Sequence, residues 1–273
     1  MDTLKDLRSL IVEPGRKFDL ADRATALDLP GDPAKEEIEA ELATLREQIG
    51  DIQDRMFTRH EQALLVVLQG MDSAGKDSTT KAVFTGVNPL GIRAASFSVP
   101  TPLERRHDYL WRIHAQVPQL GCIGVFNRSH YEDPVIRRVH GEIKNGAMKQ
   151  YLQQIVEFER LLTETGTAIV KCFLHIGFDE QRERLQERID NPAKNWKFDP
   201  SDLQERRYWK AYQSAYSEAL ASTSTEQAPW YVVPADRKPA RNLLVARLVL
   251  QALKGLNAPE PVPKPELKGL KVR

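Results

Sequence analysis

Apolar residues recur along this chain in two rhythms. From Pro33 onward, Ile38, Leu42, Leu45, Ile49, Ile52 and Met56 follow one another at alternating steps of four and three, which places them on one stripe of a helix. The stripe fits a coiled-coil contact with a second copy, and it fits a helix lying on its own domain; both readings stay open. Beyond it come five short apolar runs: Ala63 to Leu68, Ala94 to Val99, Cys122 to Phe126, Ala168 to Ile176 and Trp230 to Val233. Most are rich in Val and Ile without clean alternation, as strands buried on both faces are. Helical patterns separate them, over 76–86, 102–116, 148–165, 179–190, 201–221 and 240–254. Strands alternating with helices predict an α/β fold: a parallel sheet of five strands flanked by helices. Residues 1–33, punctuated by Pro14-Gly15 and Pro30-Gly31-Asp32-Pro33, read as an extended arm. The expected layout is therefore an N-terminal arm and helix packed on the core over 1–60, a main domain over 61–256, and a flexible tail over 257–273. No internal repeat is visible.

Composition narrows this picture only a little. A chain of 273 residues, 41% of them hydrophobic, is long enough for a substantial core. With 39 Lys+Arg against 38 Asp+Glu, any affinity for a polyanion has to be local, and nothing points to nucleic acid. Cys122 and Cys172 both lie in apolar runs and read as core residues of a reduced intracellular protein. No apolar run approaches ~18 residues and the opening M-D-T-L-K-D-L-R lacks a signal-peptide core, so no membrane partner is expected and the default location is cytoplasmic.

Candidate chemistry begins at A-L-L-V-V-L-Q-G-M-D-S-A-G-K-D-S-T-T-K. A strand runs into Gly70, four residues intervene, and Gly75-Lys76 opens a helix: the P-loop arrangement. Glycines let backbone N–H groups turn inward around phosphate oxygens, the helix N-terminus adds partial positive charge, and Lys76 reaches the terminal phosphates. Gly70, Ser73, Ala74, Gly75 and Ser78 are accordingly candidate phosphate-binding positions. Asp77 stands where the usual motif has a Ser or Thr metal ligand, and Asp72 is a second carboxylate inside the loop. Negative charge beside phosphate requires a cation between them, which points to an altered metal arrangement; Asp77 as a plain helix cap is the other reading. Ser78 remains available as a hydroxyl ligand.

The third strand continues as N-R-S-H-Y-E-D-P-V-I-R-R-V-H, at the strand end where α/β sheets collect function. Asn127 and Arg128 are donors suited to phosphate, and Glu132 and Asp133 are paired carboxylates suited to magnesium. Arg137 extends a basic surface, whereas His130 reads better as a capping or packing residue than as a ligand. Further on, Arg184 and Arg188 share a helix face that breaks at Asn191-Pro192, and Lys194 and Lys197 follow. A cationic segment over about 182–207 fits a lid closing on phosphates; a solvated helical hairpin fits as well.

Taken together these motifs resemble the family-2 polyphosphate kinases. The resemblance runs nearly the whole chain, through G-M-D-S-A-G-K-D, V-N-P-L-G, N-R-S-H-Y-E-D, N-P-A-K-N-W-K-F and P-W-Y-V-V-P-A-D-R-K, and the Glu-Asp pair looks like the class III branch, which phosphorylates nucleoside mono- and diphosphates. It implies a P-loop kinase fold with a helical lid, a homodimer or homotetramer, and transfer of the terminal phosphoryl group of inorganic polyphosphate to AMP and ADP, reversibly. Guanine nucleotides are further acceptors to consider, and Mg2+ is the implied cofactor, with Mn2+ a substitute. By position, the resemblance gives Asp72 and Asp133 to magnesium and Lys76 and Arg128 to the transferring phosphates, with Asp77 assisting. It puts Asn127 and Glu132 near nucleotide or metal, and makes Arg184, Arg188, Lys194 and Lys197 lid cations. Lys238-Pro239-Ala240 departs from the family's usual aromatic-containing sequence, leaving the position of that last helix open. An ATP-dependent nucleoside monophosphate kinase is one rival, and a non-catalytic P-loop switch or scaffold another; the switch lacks a guanine-reading Asn-Lys-x-Asp motif.

Overall fold

The computed structural model describes residues 7–29, 31, 33–260, 268 and 271. The expectations for residues 1–6, for Pro30 and Asp32, and for most of the tail after Glu260 lie outside the described residues. Five strands form one parallel sheet: β1 (Ala63–Gln69), β2 (Ile92–Ser96), β3 (Ile123–Asn127), β4 (Thr167–His175) and β5 (Trp230–Pro234). Their order is β2-β3-β1-β4-β5, so the wholly buried β1 lies at the centre, Leu64 in register with Ile123 on one side and Ala168 on the other. The chain reverses direction across the sheet at β1, and in α/β sheets ligands bind at the carboxyl ends of the strands beside such a point.

β2 begins two residues before the expected run and ends at Ser96. Beyond Ser96 the Phe97 N–H still reaches the Asn127 carbonyl (3.1 Å), and Pro100, without an N–H, cannot extend the ladder. At the opposite edge, the N-terminal arm covers β5. Val12 donates its N–H to Trp230 and Val232 donates to Leu10 (2.9 and 2.8 Å), so the arm pairs with the edge strand.

Helices cover both faces. On one lie α1 (Lys35–Arg59), α2 (Lys76–Phe84) and α9 (Lys238–Gly255); on the other α4 (Glu132–Val139), α5 (Asn145–Glu164) and α8 (Trp209–Thr223). The α1 stripe answers the question left by the sequence: Leu42, Leu45, Ile49, Ile52 and Met56 are buried and the helix lies along α9 of its own chain. Pro239 falls in the first turn of α9, where its missing N–H removes no helical bond.

Two helical expectations need correction. The 102–116 stretch is a single 3-10 turn at Glu104–Arg106 and the short α3 (Trp111–His114). Thr101 and Glu104 exchange side-chain-to-backbone bonds that close the first turn, and the Asp108 carboxylate accepts from Leu110 N–H, restarting the chain. The 201–221 stretch divides at a 3-10 turn into α7 (Ser201–Glu205) and α8. One helix was missed, α4, although its acidic first turn (Glu132, Asp133) and basic last turn (Arg137, Arg138) match the helix dipole. α6 (Phe178–Asp190) follows β4.

Between β4, α5 and the start of α4 lies a buried polar cluster. Lys171 Nζ donates to Glu159 Oε2 (2.6 Å), to the Tyr131 hydroxyl (3.0 Å) and to the Thr223 carbonyl (2.7 Å). The Tyr131 hydroxyl donates to Glu159 Oε1, and His130 Nε2 shares the same oxygen at 3.1 Å. Burial pushes the Lys171 ammonium down; burial would raise the Glu159 carboxyl, but Lys171 and His130 outweigh it and hold it low. The pair is therefore charged and internally balanced. Glu159→Leu alone is expected to cost about 3–5 kcal/mol, by stranding a buried ammonium, while adding Lys171→Met recovers most of that. Denaturant unfolding of the three proteins checks this, and a double variant no more stable than the single one removes the charge-balance explanation.

Candidate active site

β1 delivers the phosphate loop. Gly70 (φ +153°) and Gly75 (φ +101°) take conformations closed to other residues, and a Cβ at Gly70 would lie 2.6 Å from the Leu174 carbonyl oxygen. Ser73 is left-handed too (φ 64°), a strained choice for a serine, and its Oγ is buried without a partner. An orphaned hydroxyl in such a loop is what an absent oxygen ligand leaves behind. Lys76 is buried, its Nζ donating to the carbonyls of Gly70 (2.7 Å) and Met71 (3.2 Å). Burial lowers its pKa, and Asp72 opposes that.

β3 delivers the facing residues. Arg128 is also left-handed (φ 62°), which turns its side chain back toward the loop, where Nη2 reaches Asp72 at 3.1 Å and Nε lies 3.5 Å from Glu132. Burial pulls its pKa down, but Glu132 and Asp72 outweigh this and raise it. Asp77, in the first turn of α2, accepts from the Asn127 amide. Both loop carboxylates thus have donors in place, and Asp77 is cross-braced to β3 rather than serving as a plain cap. Glu132 is fixed from behind by Gln69, whose Nε2 donates to Glu132 Oε2 (2.5 Å) and to the Tyr216 hydroxyl (2.9 Å), while its Oε1 accepts from Ser129. His130 points into the core, as packing requires.

Beside these residues opens a cavity of about 880 Å³. Arg128, Glu132, Asp133 and Arg137 line it, with Tyr109 and Tyr151 as its aromatic wall. Asp133 pairs with Arg137 at 3.7 Å. Among the described residues no three His, Cys, Asp or Glu side chains gather as a closed metal site. A hard cation that shares substrate phosphates needs only one or two carboxylates, and Asp72, paired with Arg128, and Asp133, paired with Arg137, each offer the oxygen donors such a cation takes.

The four cations expected in a lid separate. Arg184 is buried at the back of the phosphate loop, where Nη1 donates to the Ser73 (3.0 Å) and Ala74 (3.3 Å) carbonyls and Nη2 to those of Ala235 and Asp236. It faces backbone because α6 packs its first turns against the loop and leaves only its end free. Arg188 pairs with Asp202 (3.3 Å), Lys194 with Glu187, and Lys197 lies over the exposed Trp196 ring. Three residues that went unnoticed in the sequence also brace the site. Gln181 donates to the Asp72 carbonyl (3.0 Å), Arg206 donates to Gln181 (2.8 Å), and Arg241 donates to the Ala74 carbonyl (3.0 Å). All come from elements distant in sequence, so spacing gave no signal.

The family model for Polyphosphate kinase 2 matches residues 33–261. The chain belongs to the polyphosphate kinase 2 family. An AMP/ADP-polyphosphate phosphotransferase of Meiothermus ruber is 49% identical over 223 residues, 82% of this chain and 84% of that one. An ADP-polyphosphate phosphotransferase of Rhodopseudomonas palustris is 40% identical over 267 residues, covering 93% and 92% of the two chains. The crystal structure of Polyphosphate Kinase 2 from Arthrobacter aurescens superposes with a TM-score of 0.89 at 40% identity, covering 95% of this chain and 93% of that one. The P-loop kinase fold of this polyphosphate kinase 2 member is thus shown by sheet order and by a close structural relative.

Asp202 gives a way to see the 182–207 segment meet the loop. Burial and the Asp72 charge push its pKa up to about 6, against the pull of Arg188. A carboxyl that binds its proton more tightly folded than unfolded favours the folded state at low pH, and that contribution falls as pH rises from about 4 through about 6. Carbon-detected NMR is expected to show Asp202 titrating near pH 6. Asp72→Asn should move the midpoint down and Arg188→Ala should move it up; no response to Asp72→Asn would mean that the two carboxylates do not face each other.

Proposed function

We propose that this chain transfers the terminal phosphoryl group of inorganic polyphosphate to AMP and to ADP, reversibly and with magnesium, manganese being a substitute. One observation carries the reading: Arg128 joins the phosphate loop, through Asp72, to a carboxylate on the wall of an aromatic-sided cavity, in a chain half identical to an AMP/ADP-polyphosphate phosphotransferase. The loop and Lys76 would hold phosphates of the transferring end, and the cavity would hold the acceptor nucleotide. Adenine and guanine are both planar bases that its aromatic wall fits.

An oxygen of the acceptor's own terminal phosphate attacks the last phosphorus of polyphosphate. The new P–O bond forms as the bridging bond opposite it breaks, and the electron pair leaves on the shortened chain's oxygen. The nucleophile is already anionic, so no protein base and no covalent enzyme intermediate are required. Lys76 and Arg128 stabilise the charge that shifts between oxygens, the loop N–H groups orient the reacting phosphate, and closure of the 182–207 segment excludes water. Magnesium, held by Asp72 and Asp133 together with phosphate oxygens, would supply charge neutralisation. The apolar stripe of α1 is covered within the chain, so a dimer or tetramer would form through another surface. A cytoplasmic location agrees with two buried free cysteines and with the absence, among the described residues, of any helix long and apolar enough to cross a membrane.

A time course from AMP, polyphosphate and magnesium, without ATP, is expected to show ADP first and ATP later. ADP alone must yield neither AMP nor ATP on that timescale, which excludes adenylate kinase traces. ATP-dependent AMP phosphorylation without polyphosphate would favour the monophosphate-kinase rival. Glu132→Leu should lower AMP use more than ADP use, because the shorter acceptor depends more on the wall that positions it; equal losses remove that role. Lys76→Ala should keep the fold and lose at least about 2–3 kcal/mol of transition-state stabilisation. A folded Lys76→Ala protein with near-normal kcat would falsify the assignment of this loop.

A further inference from the structure

Arg241 is 1% exposed, in the first turns of α9, and its guanidinium lies flat against the phosphate loop: a Cβ on Gly75 would sit 2.0 Å from its Nη1. Nη1 donates to the Ala74 carbonyl (3.0 Å), and Nη2 donates to the Ser78 hydroxyl (3.0 Å) and to Asn242 Oδ1 (2.9 Å). Ser78 in turn donates to the Gly75 carbonyl (2.9 Å), so one planar group braces the loop and the first turn of α2 together. Arg184 shares the Ala74 carbonyl from the other side, but Arg184 has Glu180 at 2.7 Å. Among the described residues no carboxylate forms an ion pair with Arg241; its acceptors are neutral oxygens. Burial, with the like charge of Arg184, lowers its pKa.

A buried cation without an anion is costly, and neutral dipoles only partly offset it. The nearest feature built to receive an anion is the loop that this guanidinium touches. We propose that Arg241 is a positioning residue for phosphoryl transfer: it ties the Ala74 carbonyl to the rear of the loop, so that N–H groups face the phosphate, and its unmatched charge is balanced by that phosphate when it binds. The inference rests on the phosphoryl-transfer reading above and adds to it a group that touches no substrate. Lysine at this position keeps the charge but has one compact ammonium in place of the fork that spans Ala74 and Ser78. Methionine keeps comparable bulk and removes the charge, and with it the desolvation cost that an unpaired buried cation carries.

The test uses the full chain as wild type, Arg241→Lys and Arg241→Met, and three readouts: ligand-free melting temperature, affinity for inorganic tripolyphosphate with magnesium, and turnover with AMP and polyphosphate. Arg241→Met should melt close to wild type yet lose roughly tenfold or more in both tripolyphosphate affinity and kcat, the scale of a lost preorganised charge. Arg241→Lys should regain most of the affinity and little of the kcat, separating charge from geometry. A folded methionine variant with affinity and kcat within about twofold of wild type overturns the proposal. So does one whose melting point drops while its tripolyphosphate affinity stays unchanged, since that is packing alone. If methionine does not fold, the lysine variant decides, and wild-type kcat there overturns it. Should wild type bind tripolyphosphate but phosphorylate neither AMP nor ADP, the function proposed above fails, and the binding comparison alone judges Arg241.

Discussion

A loop that turns its N–H groups toward a ligand turns its carbonyl groups toward the protein, and those carbonyls need donors of their own. Much of the architecture around β1 answers that need. Lys76 donates to Gly70 and Met71, Gln181 to Asp72, Arg184 to Ser73 and Ala74, and Arg241 to Ala74 again. The donors come from α2, α6 and α9, so the packing of these helices is also the bracing of the loop. Glycine at 70 and 75 follows from the same constraint: strand β4 and Arg241 approach too closely for any side chain.

Charge is arranged with equal economy. Carboxylates beside a phosphate site repel the substrate unless they are matched, and here Asp72 meets Arg128 while Asp77 meets the Asn127 amide. Two cations of the 182–207 segment are matched as well, Arg188 by Asp202 and Lys194 by Glu187. Arg241, by contrast, has only neutral oxygens as acceptors among the described residues.

The parts of this molecule that were legible in the chain are those governed by local rules. β1, β3, β4 and β5 announced themselves as continuous apolar runs, and Gly70 to Lys76 by a spacing that a strand–loop–helix turn alone requires. Where a local signal had a competitor the outcome shifted: β2 stopped at Ser96, ahead of Pro100, and the side-chain turns at Thr101 and Asp108 broke the 102–116 helix. α4 was legible and went unread, its charge pattern taken only as site chemistry. Arg241 was not legible at all, because its partner Ala74 lies 167 residues away and no periodicity connects them. Arg184 was found for its charge but placed wrongly, since spacing shows which helix face a residue occupies and not what that face meets.

The seven residues from Asn127 to Asp133 act as a single piece of chain. Asn127, Arg128, Glu132 and Asp133 face the cleft or its loop, whereas Ser129, His130 and Tyr131 are anchored below, Ser129 on Gln69 and the aromatic pair on Glu159. Two outward residues, three anchored ones and two more outward ones thus follow one another in short blocks. An outward side chain can change while the anchors below it stay in place. Altering an inward one moves every outward neighbour at once, so the packing of Ser129, His130 and Tyr131 constrains the cleft as tightly as the residues that face it.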